Sequence, residues 1–273
     1  MGMIHCKLHG RLGNNMFNIA TGLSLSKQLN TSLTISKTTL AGHRGEIPVD
    51  LSLFDYPFNQ ISNPNLDIIY NEPTLHYTPI PIKDNTIISG VFSSWKYFEN
   101  IKNEICNKYF IPSPEIKNKI DMYNVSQNAL GISVRRGDFL MLQNNHCVLT
   151  SEYYQNVLNE YFSSNNIYRI YIFSDDFEWC KQVFGENVIY VQESIGVQLF
   201  MMSKMKNLIL SNSTFAWWGA YLNQNNGTII TPYPWLGPAY DNEIIDDVYH
   251  PSWVRYKHKR EIQNYVFNPN FYN

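Results

Sequence analysis

The segment Ser133-Val134-Arg135-Arg136-Gly137-Asp138 sets two adjacent guanidinium groups and a carboxylate at the end of an apolar run that begins at Ala129. Arginine is rarely buried without a partner, and open α/β sheets bind ligands at the carboxyl ends of their strands. A guanidinium fork matches phosphate oxygens two at a time. Two readings follow. The arginines grip a phosphorylated ligand such as a sugar nucleotide, or Asp138 pairs with one of them and closes the turn.

Further segments share this setting. Gly10-Arg11-Leu12-Gly13-Asn14-Asn15-Met16-Phe17 lies between a predicted strand and a predicted helix. Glycines there let backbone N–H groups approach a ligand, and the helix start adds partial positive charge. The alternative is a tight turn with Asn14 as helix cap. The segment is neither G-x-G-x-x-G nor a Walker loop. Ser174-Asp175-Asp176 reads as a metal-binding aspartate pair or as helix capping; capping is favoured, and no metal is expected. In Ser211-Asn212-Ser213-Thr214-Phe215-Ala216-Trp217-Trp218-Gly219, the Ser213 and Thr214 hydroxyls with free amides could form a neutral phosphate cradle. A capped helix over core tryptophans is the competing reading. Trp217 and Trp218 cannot share one helix direction, so one is expected to pack beneath the helix and the other to line a cleft. The histidines show no metal-ligand spacing, although His146 and His43 are candidate bases.

These segments need elements to hold them. Strands are predicted at 3–8, 32–35, 86–92, 129–134, 167–173, 188–191, 207–210 and 228–231, the last closing the series. Helices are predicted at 14–29, 99–110, 151–163, 177–184, 195–205 and 214–223. The stretch 41–81 is irregular and rich in proline. From 129 onward the strand–helix alternation indicates a parallel, doubly wound sheet. A boundary falls in 112–127, dividing the chain into 1–125 and 126–273.

The chain has 273 residues, 44% hydrophobic and 16% charged, which suits ordinary globular cores and excludes disorder. A net charge of −2 argues against a general nucleic-acid binder. Cys6, Cys106, Cys147 and Cys180 are scattered, as reduced thiols of a cytoplasmic protein would be. Lys7, His9 and Arg11 interrupt the first apolar run, so no signal peptide is expected. No stretch is long enough to cross a bilayer, which leaves at most peripheral membrane contact.

Read together and in order, these segments resemble the α-1,2-fucosyltransferases of glycosyltransferase family 11, in the bacterial O-antigen-type branch. The resemblance runs through Gly10–Phe17, Gly90-Val91-Phe92-Ser93-Ser94-Trp95-Lys96-Tyr97-Phe98, Val134–Phe139, Phe173–Cys180, Asn212–Ala220 and Pro232-Tyr233-Pro234-Trp235. It implies an α/β, GT-B-type fold, with two Rossmann-like doubly wound halves facing across a cleft. The acceptor-side domain would be 1–125 and the nucleotide-sugar-binding domain 126–273. It also implies inverting transfer of fucose from GDP-fucose to the 2-hydroxyl of a galactose, without a metal or other cofactor. The acceptor would be a galactose-terminated glycan, lipid-linked or free.

By the same resemblance Arg135 grips the donor pyrophosphate, Arg136 shapes the site, and Asp138 orients the pair or touches the sugar. Asp138 is the first candidate for the general base and His146 the second. Gly13 and Asn14 match the loop from the opposite domain, Ser213 and Thr214 the polar positions near the nucleotide, and Asp175 joins the donor site. Two positions depart from the family pattern. Ser133 stands where a histidine usually precedes the arginines, and Gln198 stands in a region where an acidic residue reads guanine. Other readings are a different nucleotide-sugar donor and a non-catalytic sugar-binding protein on this fold.

Overall fold

The computed structural model describes residues 2–41, 45–62, 64–81, 83–162 and 169–265; His43 lies outside them. The chain divides into one unit of 1–117 with 244–250 and a second of 118–243 with 251–273. A linear division of the chain does not contain the return of 244–250 to the first unit.

The first unit begins with β1 (Met3–His9), whose Ile4, Cys6 and Leu8 are buried. Gly10 turns the chain at φ +77°, and α1 (Leu12–Leu29) follows. The helix starts two residues before the predicted point: Arg11 occupies the N-cap position, and Asn14 sits inside the first turn rather than capping it. Its end is conventional, with Asn30 in the left-handed conformation and the Thr31 amide donating to Ser26 O at 2.9 Å. Then come β2 (Ser32–Leu40), β3 (Glu46–Pro48), β4 (Gln60–Ile61), β5 (Ile68–Asn71) and β6 (Thr86–Ser89). The sheet order is β3-β2-β1-β6-β5, with β4 pairing β2, and every pairing except β2 with β3 is parallel.

The helix predicted over 99–110 is broken. It consists of a 3-10 turn (Glu99–Ile101), a single α turn, α2 (Lys102–Glu104), and a π turn (Ile105–Tyr109). An unpredicted helix, α3 (Pro114–Met122), fills the stretch that composition marks as a boundary; proline suits a first helical position because its missing N–H has no intrahelical partner there.

The second unit alternates from β7 to β11: β7 (Ala129–Val134), α4 (Ser151–Tyr161), β8 (Arg169–Ser174), α5 (Phe177–Phe184), β9 (Ile189–Tyr190), α6 (Ile195–Met202), β10 (Asn207–Ile209), α7 (Thr214–Tyr221) and β11 (Ile229–Tyr233), with β12 (Val254–Lys257) following β11 without an intervening α-helix. The last strand predicted, 228–231, is not the last, because β12 pairs parallel with β11. The sheet reads β12-β11-β10-β7-β8-β9 and is parallel throughout. Renumbered within the unit this is 6-5-4-1-2-3, the Rossmann order, and the expected pair of parallel α/β units is present. All six residues of β7 are buried, as a central strand covered on both faces requires. Trp217 and Trp218 are both fully buried, so neither lines a cleft; Trp217 stacks on Tyr221 at 4.7 Å and meets Trp253 edge-on.

Two measurements check this packing. A Cβ at Gly22 of α1 would lie 2.3 Å from Cys6 Sγ and 2.8 Å from Leu33 Cδ1. Gly22→Ala should therefore destabilise the protein by about 1–3 kcal/mol in chemical denaturation, against the usual gain of Ala in a helix. Burial also lowers the His5 and His250 imidazoles from 6.5 to about 4. The unfolded chain then binds protons that the folded one refuses, so stability is full above pH 6.5 and falls as pH drops towards 4. Thermal midpoints should decline across that window, less steeply in His5→Gln.

Candidate active site

In the second unit the order of the parallel strands reverses between β7 and β10, the place where open α/β sheets form a ligand crevice. Side chains fasten the two strand ends together. Ser133 Oγ and Ser211 Oγ are 2.9 Å apart and buried. From α4, Tyr154 donates its hydroxyl to Ser133 O at 3.1 Å and Tyr153 donates to Leu210 O at 3.0 Å. The Ser133 hydroxyl is thus bonded within the protein, joining the end of β7 to the end of β10.

The two arginines diverge immediately beyond β7. Arg136 is buried, and its Nε donates to Asp176 Oδ2 at 3.0 Å, its Nη1 to Gln263 Oε1 at 2.8 Å. Its guanidinium lies over the Trp179 ring, 4.2 Å from the centroid. Arg135 stays part-exposed, pairing with Asp138 and, at 2.6 Å, with Asp175 Oδ2. Its guanidinium lies 5.2 Å from the Phe139 ring, and His146 stacks on that ring at 4.1 Å. Asp175 Oδ1 accepts the Arg136 amide at 2.9 Å. A Cβ at Gly137 would come within 2.4 Å of Asp175 Oδ2, so only glycine permits this approach. Two guanidinium groups therefore face three carboxylates. An anionic ligand reaching Arg135 must compete with Asp138 and Asp175.

Arg135, Arg136, Asp138, Asp175 and His146 thus come together at one strand end. Ser213 and Thr214 open α7 at the neighbouring strand end, where Ser213 Oγ caps the helix by accepting the Phe215 amide at 3.2 Å. Asn212 pins this turn by donating to Cys147 O and Trp235 O at 2.9 and 2.8 Å. Asp176 caps α5 through the Trp179 amide, in addition to its ion pair with Arg136. Gln198 lies on α6, and its Nε2 donates to Glu193 O at 2.9 Å. Gly13 and Asn14 belong to the first unit, in the first turn of α1. Burial lowers the His146 imidazole, Asp138 opposes that shift and Arg135 adds to it.

Residues 1–257 match the family described as Glycosyl transferase family 11. The chain belongs to glycosyl transferase family 11. It is 27% identical to an alpha-1,2-colitosyltransferase of Escherichia coli, over 93% of this chain and 99% of that one. An O-antigen biosynthesis glycosyltransferase of the same organism, WbnK, is 29% identical over 46% of this chain and 44% of its own. Among solved structures, the fucosyltransferase NodZ from Bradyrhizobium superposes with a TM-score of 0.56 at 14% identity, over 80% of this chain and 92% of that one. That similarity shows a shared GT-B-like fold. A second NodZ structure, described as an alpha-1,6-fucosyltransferase soaked with GDP-fucose, has a TM-score of 0.55.

In this family 11 glycosyltransferase several residues that shape the crevice escape a reading of motifs. Trp179 lies within a recognised segment, but its stacking on Arg136 depends on the fold. Tyr153 and Tyr154 belong to no motif, falling only within the helix predicted over 151–163. Gln143 and Gln263 carry no motif at all. Asp176 is the most exacting of the partners, because removing it strands a buried guanidinium and uncaps α5. Asp176→Ala should cost about 3–5 kcal/mol in denaturant unfolding, well above a surface ion pair.

Proposed function

We propose that this glycosyltransferase moves fucose from GDP-fucose to the 2-hydroxyl of a terminal galactose, with inversion and without a metal. The observation that carries the donor reading is Arg135. It is a part-exposed guanidinium at the carboxyl end of a central strand, beside the point where a Rossmann-order sheet reverses. A diphosphate suits that fork and the adjacent start of α7. The α-1,2 linkage in the name of the E. coli relative and the GDP-fucose soaked into NodZ support the fucosyl reading. The acceptor is a galactose-terminated glycan, lipid-linked or free, met in the cytoplasm with at most peripheral membrane contact.

The reaction is a displacement at the fucose anomeric carbon. The acceptor oxygen forms the new bond as the bond to the β-phosphate oxygen breaks, and GDP leaves with the electron pair. Arg135, the Ser213 and Thr214 hydroxyls and the amides of α7 offset the charge that develops on the leaving diphosphate. When the diphosphate takes the guanidinium, the pairing of Asp138 with Arg135 opens and its carboxylate is placed to accept the acceptor's proton. His146 is the second candidate for that role, and burial lowers its imidazole below the ordinary value.

A second reading has one specific support: the relative aligned over nearly the whole chain is named for colitose, so a nucleotide-activated colitose is the competing donor. Turnover of both donors on β-galactosides, with EDTA present and the product linkage determined, separates the readings. Fucosyl transfer in an α-1,2 linkage is expected; preference for the colitosyl donor overturns the fucose assignment, and binding without GDP release overturns catalysis. Arg135→Ala should lose turnover by about 10²–10³-fold with the fold intact. Near-normal turnover would remove the phosphate role from Arg135.

A further inference from the structure

Gln263 lies beyond the last strand, six residues past β12, yet its side chain and its backbone both bond to the 136–148 segment. Its Oε1 accepts Arg136 Nη1 at 2.8 Å, and its Nε2 donates to Val148 O at 2.8 Å. Its amide donates to Gln143 Oε1 at 2.7 Å, while its carbonyl accepts Gln143 Nε2 at 2.8 Å. Gln143 Nε2 also reaches Leu140 O at 2.9 Å, at the end of the 3-10 turn (Asp138–Met141) that carries Asp138 and Phe139. One residue thus holds both structures that frame Arg135. Its side chain fixes Arg136 on one flank, and its backbone fixes the 138–141 turn on the other.

We propose that Gln263 is a positioning residue for the donor's diphosphate, resting on the donor reading above. The buried Arg136 has Asp176 at Nε and Gln263 at Nη1. Holding that side chain in place fixes the backbone amide that Asp175 accepts, and Asp175 in turn holds Arg135. Without Gln263 a buried guanidinium N–H loses its acceptor, and a buried donor does not stay unsatisfied when a side chain can move. Arg136 would turn towards another acceptor, and the Arg135 fork would lose its fixed aim. A bidentate grip depends on that aim more than on charge alone. The chain after β12 is therefore part of the donor site.

The test is isothermal titration of GDP, with steady-state kinetics, on full-length wild type, Gln263→Ala, Gln263→Glu and Gln143→Ala. Gln263→Ala should weaken GDP and raise the donor KM by about tenfold, with kcat and the acceptor KM within twofold. Gln263→Glu keeps an acceptor for Arg136 and should recover most of the affinity. Gln143→Ala should show a smaller donor-side loss, and it carries the test with Gln263→Glu if Gln263→Ala does not fold. GDP affinity unchanged in the folded variants overturns the proposal. So does a parallel rise in donor and acceptor KM, which is what a merely structural role would give. Wild-type protein that fails to bind GDP overturns the donor reading itself, and the variants need not be compared to see it.

Discussion

The second unit is organised around a buried charge. Arg136 cannot be left unpaired in the interior, and a carboxylate, a glutamine and a tryptophan face converge to hold it. That obligation draws α5 to the strand end through Asp176 and Trp179, and it draws in the chain after β12 through Gln263. Arg135 emerges at the crevice, held by two carboxylates that a ligand must displace. A pair of arginines that looks redundant in sequence is thus one structural ion and one available ion.

The sheet supplies the other half of the constraint. A parallel strand order that reverses between β7 and β10 leaves a crevice beyond their carboxyl ends. Here the crevice is braced from behind by paired serines and by two tyrosine hydroxyls on strand carbonyls. Ser133 belongs to that brace. Its hydroxyl lies 2.9 Å from that of Ser211, so this side chain ties the end of β7 to the end of β10. Asp138 and Asp175 restrain Arg135, while the third carboxylate, Asp176, is committed to Arg136.

Much of this was legible in the residues. The strand–helix alternation after 129 and the polar segments at strand ends indicated a doubly wound sheet and the location of its ligand face. The first unit was less legible because its short strands lack a pattern: β5 is an edge strand whose Ile68 and Ile69 are both exposed, so no alternation marks it. Asn14 reads as a cap because asparagine favours that position, yet Gly10 turns the chain early enough for Arg11 to take it. The tryptophan pair predicted to split between core and cleft is wholly enclosed, since α7 packs against Trp253 as well as the sheet. Gln263 gave no signal because every bond it makes reaches more than a hundred residues back along the chain.

On the proposed function, Arg135 is the guanidinium that receives the donor's diphosphate. A crystal structure of the protein with GDP tests it most directly. Diphosphate oxygens are expected about 2.7–3.0 Å from the Arg135 nitrogens, beside the start of α7, with the Asp138 pairing opened and Arg136 still seated on Asp176 and Gln263. GDP bound elsewhere, or Arg135 still closed on both Asp138 and Asp175 with the nucleotide in place, would contradict it.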